Sequence, residues 1–147
     1  MRDGRPSATA HRAAERRAAH QLLDHPPVFV DPFAIPILGS QAAALLQSPA
    51  ASQSWAARRL RAFLAVRSRF AEDQLARAVE RGVRQYVILG AGLDTFAYRN
   101  PHGGLRVFEV DHPMTQSWKR TRLDAAQIAV PESVSYVPVN FERQKFS

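Results

Sequence analysis

Two glycines and one aspartate carry the chemistry that can be read from this chain. Gly90 and Gly92 break the run Tyr86-Val-Ile-Leu-Gly-Ala-Gly-Leu-Asp-Thr95 directly after its apolar residues. Asp111 ends a second apolar run, Val107-Phe-Glu-Val-Asp111, 21 residues beyond Gly90. Glycine lets a backbone turn sharply and lets a ligand approach with no Cβ in the way. The helix start expected after such a turn offers unpaired N–H groups to polar ligand atoms. A carboxylate at the end of the neighbouring parallel strand can accept both hydroxyls of a ribose. Strand, glycine turn, second strand and terminal acid together are how a doubly wound α/β sheet holds an adenosyl cofactor. A purely structural alternative has the glycines serving a tight turn and Asp111 capping the following helix.

The residues lean towards one adenosyl cofactor. A dinucleotide site carries a third glycine that makes room for pyrophosphate. Here that position is Thr95, preceded by Asp94. An acid beside the turn suits a cationic, amino-acid-bearing cofactor better than a dianionic pyrophosphate. S-adenosylmethionine is therefore favoured over NAD, and both remain open on these residues alone.

These residues need a scaffold. The first ten residues are charged, small and proline-containing, and are expected to be a disordered tail. Residues 11–24 are rich in Ala, Arg and Glu and predict a helix. Four prolines between His25 and Pro36 forbid regular helix, yet Val28, Phe29, Val30, Phe33 and Ile35 are too apolar for a solvated linker. A short helix is expected over 36–47. The clearest helix is 54–81, with Ser54 as N-cap and Gly82 just past its end. Leu60, Phe63, Leu64, Phe70, Leu75 and Val79 predict its apolar face. Strands follow at 84–89, 106–110 and 134–140, with a helix over 113–129. The first strand is apolar throughout, as in a parallel strand buried on both sides, and Pro138 belongs at a strand end or sheet edge. Helices alternating with strands predict a parallel sheet.

Composition sets broader bounds. A chain of 147 residues, 46% apolar, is one domain or part of one. It has no apolar run long enough to span a membrane and no secretory signal pattern. The absence of cysteine excludes disulfides and thiolate chemistry and suits the cytoplasm. The formal charge is +7, and arginine supplies 18 of the 20 basic residues. Those arginines are scattered through alanine-rich stretches, without a basic block interleaved with aromatics, so a nucleic-acid partner is not expected. The histidines show no metal-ligand spacing. His112 reads as a helix-start residue.

Taken together, Val87-Ile-Leu-Gly-Ala-Gly-Leu-Asp-Thr-Phe-Ala-Tyr-Arg99 and Phe108-Glu-Val-Asp-His-Pro113 resemble bacterial S-adenosylmethionine-dependent methyltransferases related to leucine carboxyl methyltransferase. That group is abundant in actinobacteria and is often described as polyketide O-methyltransferases. Val66-Arg-Ser-Arg-Phe-Ala-Glu-Asp73 resembles its arginine motif, Asp31-Pro-Phe33 its N-terminal signature, and Tyr136-Val-Pro-Val-Asn-Phe-Glu-Arg143 its adenine-contacting segment. The resemblance runs from about Thr9 onwards. It implies a Rossmann-like class I methyltransferase fold, with a helical cap over 11–82 and the first half of the cofactor-binding domain over 83–147. It also implies roles. Gly90, Ala91 and Gly92 would pass under the methionine part of S-adenosylmethionine, and Asp111 would bind the ribose. Asn140 and Phe141 would flank the adenine. Arg67, and less directly Arg69, would pair with the cofactor carboxylate. Asn140 stands where the family usually has Asp, which keeps an acceptor but removes its charge.

The family's seven-stranded sheet needs a much longer chain, so about three strands are expected here, with an open edge suited to self-association. Residues contacting a small-molecule methyl acceptor are expected outside this chain, and no catalytic residue can be nominated within it. The alternatives are an NAD-type domain and a non-catalytic remnant or binding module.

Overall fold

The computed structural model describes residues 7–141. The chain opens with helix α1, Ala8–Leu23, whose Ser7 cap accepts the Ala10 N–H through Oγ at 3.2 Å. α1 thus begins inside the stretch whose composition predicts a tail; residues 1–6 of that stretch lie outside the described residues. The proline-rich segment then runs through bends and a turn at 32–35 into a 3-10 helix over Pro36–Gln47, kinked at Gly39, where the sequence predicts a short helix. Helix α2, Trp55–Glu80, is capped by Ser54 and ends before Gly82, whose φ is 98°. Strand β1, Gln85–Leu89, leads into the glycine turn. Strand β2 is Arg106–Asp111, helix α3 is Pro113–Ala125 and strand β3 is Val134–Pro138. The three strands are parallel in the order β1-β2-β3. This is the α/β, Rossmann-like architecture that the alternation predicts, in an open three-stranded form. Pro138 closes β3 at one edge of the described sheet, where its missing N–H costs no ladder bond.

One face of the sheet is covered. Tyr86, Ile88, Val107 and Val134 point into a core filled from α1, α3, the 34–38 turn and the 93–98 loop. On the same face Glu109 is buried and takes Lys119 Nζ from α3 on both oxygens at 2.7 Å. Burial is the largest influence on both groups, raising the Glu109 carboxyl and lowering the Lys119 ammonium. On the opposite face β1 is open, Val87 being 52% exposed and Leu89 63%, whereas Val110 beside Leu89 on β2 is buried. β1 is therefore a half-bare edge strand among the described residues, not the doubly buried strand its composition predicts.

α2 shows a similar divergence. Its buried stripe is Arg61, Leu64, Ala65 and Leu75. Leu60, Phe63 and Phe70 face outwards, Phe63 at 60% exposure. The apolar residues of α2 fall on two stripes, and only one meets α1. The other points where no described residue covers it. Arg61 can belong to the buried stripe because its guanidinium is well satisfied: it makes four hydrogen bonds, two to Asp24 and one each to the carbonyls of Ala50 and Ser52.

Candidate functional site

The turn after β1 is built against the end of β2. Gly90 N and Ala91 N both donate to Val110 O, at 2.8 and 3.3 Å. Gly90 and Gly92 have φ of 64° and 50°, a left-handed region that costs other residues energy. Their surroundings differ. A Cβ on Gly90 would meet nothing within 4 Å, whereas one on Gly92 would stand 2.8 Å from Ala10 Cβ of α1. Gly90 leaves open space at the turn, and Gly92 lets α1 lie directly against it.

Asp111 completes the turn from the side. Its Oδ2 accepts Gly92 N and its Oδ1 accepts His112 N, both at 2.6 Å. The cap of α3 is His112, whose Nδ1 accepts Met114 N. Asp111 thus orders the glycine turn itself. Each of its oxygens has lone-pair capacity beyond the one N–H it accepts.

A cleft of about 580 Å³ opens here, walled by Gly90, Ala91, Gly92, Asp94 and Asp111 on one side and by α1 and α2 on the other. Arg17 of α1 and Arg67 of α2 both reach its wall. A larger groove, about 830 Å³, lies beside Trp55 and Arg59 and holds none of the candidate cofactor-binding residues. It carries no such conjunction of turn and acid, so the smaller cleft is the candidate site.

The structure therefore brings Arg67, Gly90, Ala91, Gly92 and Asp111 together. Arg69 is elsewhere: it forms an exposed ion pair with Asp73 one turn along α2 and lines a different groove. Asn140 and Phe141 follow β3, beyond β2 as seen from the turn. Asn140 is half-buried and Phe141 is 48% exposed.

A polar network behind the turn was not legible as a site. Asp31 is 2% exposed, and its Oδ2 accepts Thr95 Oγ1 at 2.5 Å. Its Oδ1 accepts Phe33 N at 3.0 Å and stands 3.3 Å from Arg99 Nε. Arg99 then takes Glu72 of α2 in a two-pronged ion pair. Arg17 donates to Leu93 O at 2.5 Å and stands 3.5 Å from Asp94 Oδ2. Burial pushes the Asp94 carboxyl up. The charges of Arg17, Lys119 and Arg99, with the Phe96 N–H, outweigh it and hold Asp94 below the usual carboxylate range. Asp31-Pro-Phe33 was visible as a motif, but its partners were not. The one sequence signal for Arg17 is its setting: Ala10, Ala14 and Ala18 share its side of α1 at helical spacing, a stripe small enough to press on Gly92.

Among the described residues no group of His, Cys, Asp and Glu could hold a metal ion, and no helix is long and apolar enough to cross a membrane. A "Putative S-adenosyl-L-methionine-dependent methyltransferase YktD" from Bacillus subtilis is 32% identical over 97% of this chain and 55% of its own length. A protein of Mycobacteroides abscessus with the same kind of name is 36% identical over 91% of this chain and 45% of its own. One from Parafrankia reaches 49% identity over 46% of this chain. The chain spans about half the length of these first two relatives. The leucine carboxyl methyltransferase family profile matches residues 10–147. With so nearly complete a match, the chain belongs to the leucine carboxyl methyltransferase family.

Proposed function

We propose that this chain is the S-adenosylmethionine-binding portion of a methyltransferase that acts on an oxygen of a small molecule. The observation that carries the reading is Asp111 Oδ2 on Gly92 N at 2.6 Å. It puts a carboxylate with spare acceptor capacity beside a glycine turn, at the end of the neighbouring parallel strand, on a cleft of about 580 Å³.

The residues fit the cofactor. Asp111 takes the ribose hydroxyls. Gly90, Ala91 and Gly92 run under the methionine part, where Gly90 leaves open space. Arg67, exposed on the facing helix, reaches the carboxylate end. Asn140 and Phe141 are assigned to the adenine by the family resemblance. Arg69, already paired with Asp73, acts in this geometry on α2 alone. The bound cofactor supplies a methyl group on a sulfonium, open to in-line attack by an oxygen nucleophile. This half of the site contributes orientation: it fixes the cofactor so that nucleophile, carbon and sulfur can align. A carboxylate acceptor needs no base and a hydroxyl does; none of the residues at the cleft is nominated as that base. Helical cap and sheet, divided near residue 82, are proposed as its two parts. The bare face of β1 and its open edge make self-association of the isolated chain the expected behaviour, and the cytoplasm its expected compartment.

NAD is disfavoured by Asp94, whose charge would face a pyrophosphate. Thermal-shift titrations with S-adenosylhomocysteine and NAD separate the two readings. The proposal expects a concentration-dependent rise with S-adenosylhomocysteine only. A larger rise with NAD contradicts it, and no rise with either favours a non-catalytic module.

A further inference from the structure

The groove of about 830 Å³ shares no residue with the cofactor cleft. Trp55, Arg58, Arg59 and Ala62 line it from α2, where their spacing puts them on one helix face. Arg67, Ser68 and Ala71, which reach the cleft, fall on another face of the same helix. The facing wall is the end of α1 and the prolines after it, with Leu23, Asp24, Pro26 and Val28. Buried polar groups hold these walls in place. Arg61, with no exposure, donates to Asp24 and to the carbonyls of Ala50 and Ser52, tying α2 to the segments on either side. His20, also buried, meets Asp24 Oδ2 at 3.0 Å through Nδ1 and accepts Val28 N at 3.1 Å through Nε2. The groove is therefore preorganised.

Its charge is one-sided. Asp24 is the one acid on the wall, and Arg61 already neutralises it: the Arg61 hydrogen bond, more than anything else around it, holds that carboxyl below its usual range. Arg58 and Arg59 have no acidic partner among the described residues. The Arg59 guanidinium carbon stands 4.4 Å from the centre of the Trp55 ring, and Trp55 is 70% exposed. Leu23, Pro26, Val28 and Ala62 supply apolar surface beside them. We infer that this groove is a binding site for a flat aromatic carboxylate, with the ring against Trp55 and its apolar neighbours and the charge on Arg58 and Arg59. A ring gains from an exposed indole and an apolar wall. A carboxylate favours arginine because two N–H groups can be offered in parallel. The volume is that of a small-molecule site. The site stands independently of the cofactor reading.

The test compares two probes on the full chain by calorimetry: naphthoate, and naphthamide, which keeps the ring and loses the charge. The proteins are the wild type, Trp55→Ala and the Arg58→Gln/Arg59→Gln double variant, with urea unfolding to show that each is folded. The wild type is expected to bind naphthoate at least about fivefold more tightly than naphthamide. The double variant should lose that preference while still binding the ring, and Trp55→Ala should weaken both probes. All three substitutions are at exposed positions, so folding is expected to survive; should Trp55→Ala not fold, the double variant decides alone. Equal binding of the two probes by the wild type, no binding of naphthoate, or a preference that persists in the double variant overturns the inference. Displacement of naphthoate by S-adenosylhomocysteine also overturns it, because the probe then sits in the cofactor cleft. A chain that binds naphthoate as expected but not S-adenosylhomocysteine sinks the cofactor reading and leaves this site standing.

Discussion

Thr95 Oγ1 donates to Asp31 Oδ2 at 2.5 Å across 64 residues of chain, and both side chains are almost fully buried. The bond ties the proline-rich segment to the glycine turn. It also gives a reason for Thr95 standing where a dinucleotide site carries its third glycine: the hydroxyl anchors the proline-rich segment, and a glycine there would release it. Asp31 accepts Phe33 N as well and meets Arg99. Thr95→Val should therefore cost about 1–3 kcal/mol, the usual penalty for leaving a buried acceptor one partner short. Asp31→Ala should cost more, because it takes the acceptor from Phe33 N and Thr95 Oγ1 together and leaves Arg99 only its Glu72 carboxylate. Urea unfolding of both variants checks the order; Asp31→Ala as stable as wild type would refute it.

The two turn glycines should respond differently to the same substitution. Both pay about 1–2 kcal/mol for a Cβ at positive φ. Gly92→Ala adds a clash with Ala10, 2.8 Å from the new Cβ, whereas Gly90→Ala meets nothing. Gly92→Ala should be the more destabilising, and Ala10→Gly should restore part of the loss. Gly90→Ala should instead act mainly on cofactor affinity, since it fills open space at the cleft. Chemical unfolding, with the Ala10→Gly/Gly92→Ala double variant in a mutant cycle, measures the coupling; an absent rescue counts against the close α1 packing.

Acid should loosen the helical N-terminal residues. The Arg61 and His20 hydrogen bonds outweigh burial at Asp24, and the cations around Asp94 do the same there, so both carboxyls sit below their ordinary value when folded. A depressed carboxyl contributes stability that is complete above its unfolded pKa, about 3.9, and is lost as pH falls through the lower folded value. Between these values the unfolded chain binds more protons, so stability should fall with falling pH. Asp24→Asn should lower stability at neutral pH and flatten that fall. Unfolding free energies at a series of pH values from neutral to strongly acidic test it; an unchanged slope in Asp24→Asn would speak against the Asp24–Arg61 pair as its source.

Much of this was legible beforehand because it is local. Alternating apolar runs, Ser54 and Gly82 at the ends of α2, and the Gly90–Asp111 spacing each state their role within a few residues or one βαβ unit. What escaped is set by neighbours far off in sequence. Phe63 and Phe70 read as core at helical spacing, but α2 has two apolar stripes and α1 covers one. Val87 and Leu89 read as doubly buried, but burial needs a second layer that the described residues do not supply. Arg17 was one more arginine scattered through an alanine-rich stretch; its burial follows from the alanine stripe that lets α1 touch the turn. Arg69 and Arg67 were indistinguishable by type, and the helix phase separates them: Arg67 reaches the cleft and Arg69 turns to Asp73.

The central claim is that Asp111 and the turn it holds bind the ribose of S-adenosylmethionine. Isothermal titration of the chain with S-adenosylhomocysteine, beside Asp111→Ala, tests it most directly. The account predicts saturable one-to-one binding to the wild type and a loss of about tenfold or more in the variant. No heat from the wild type at millimolar ligand, or equal affinity in Asp111→Ala, would contradict it.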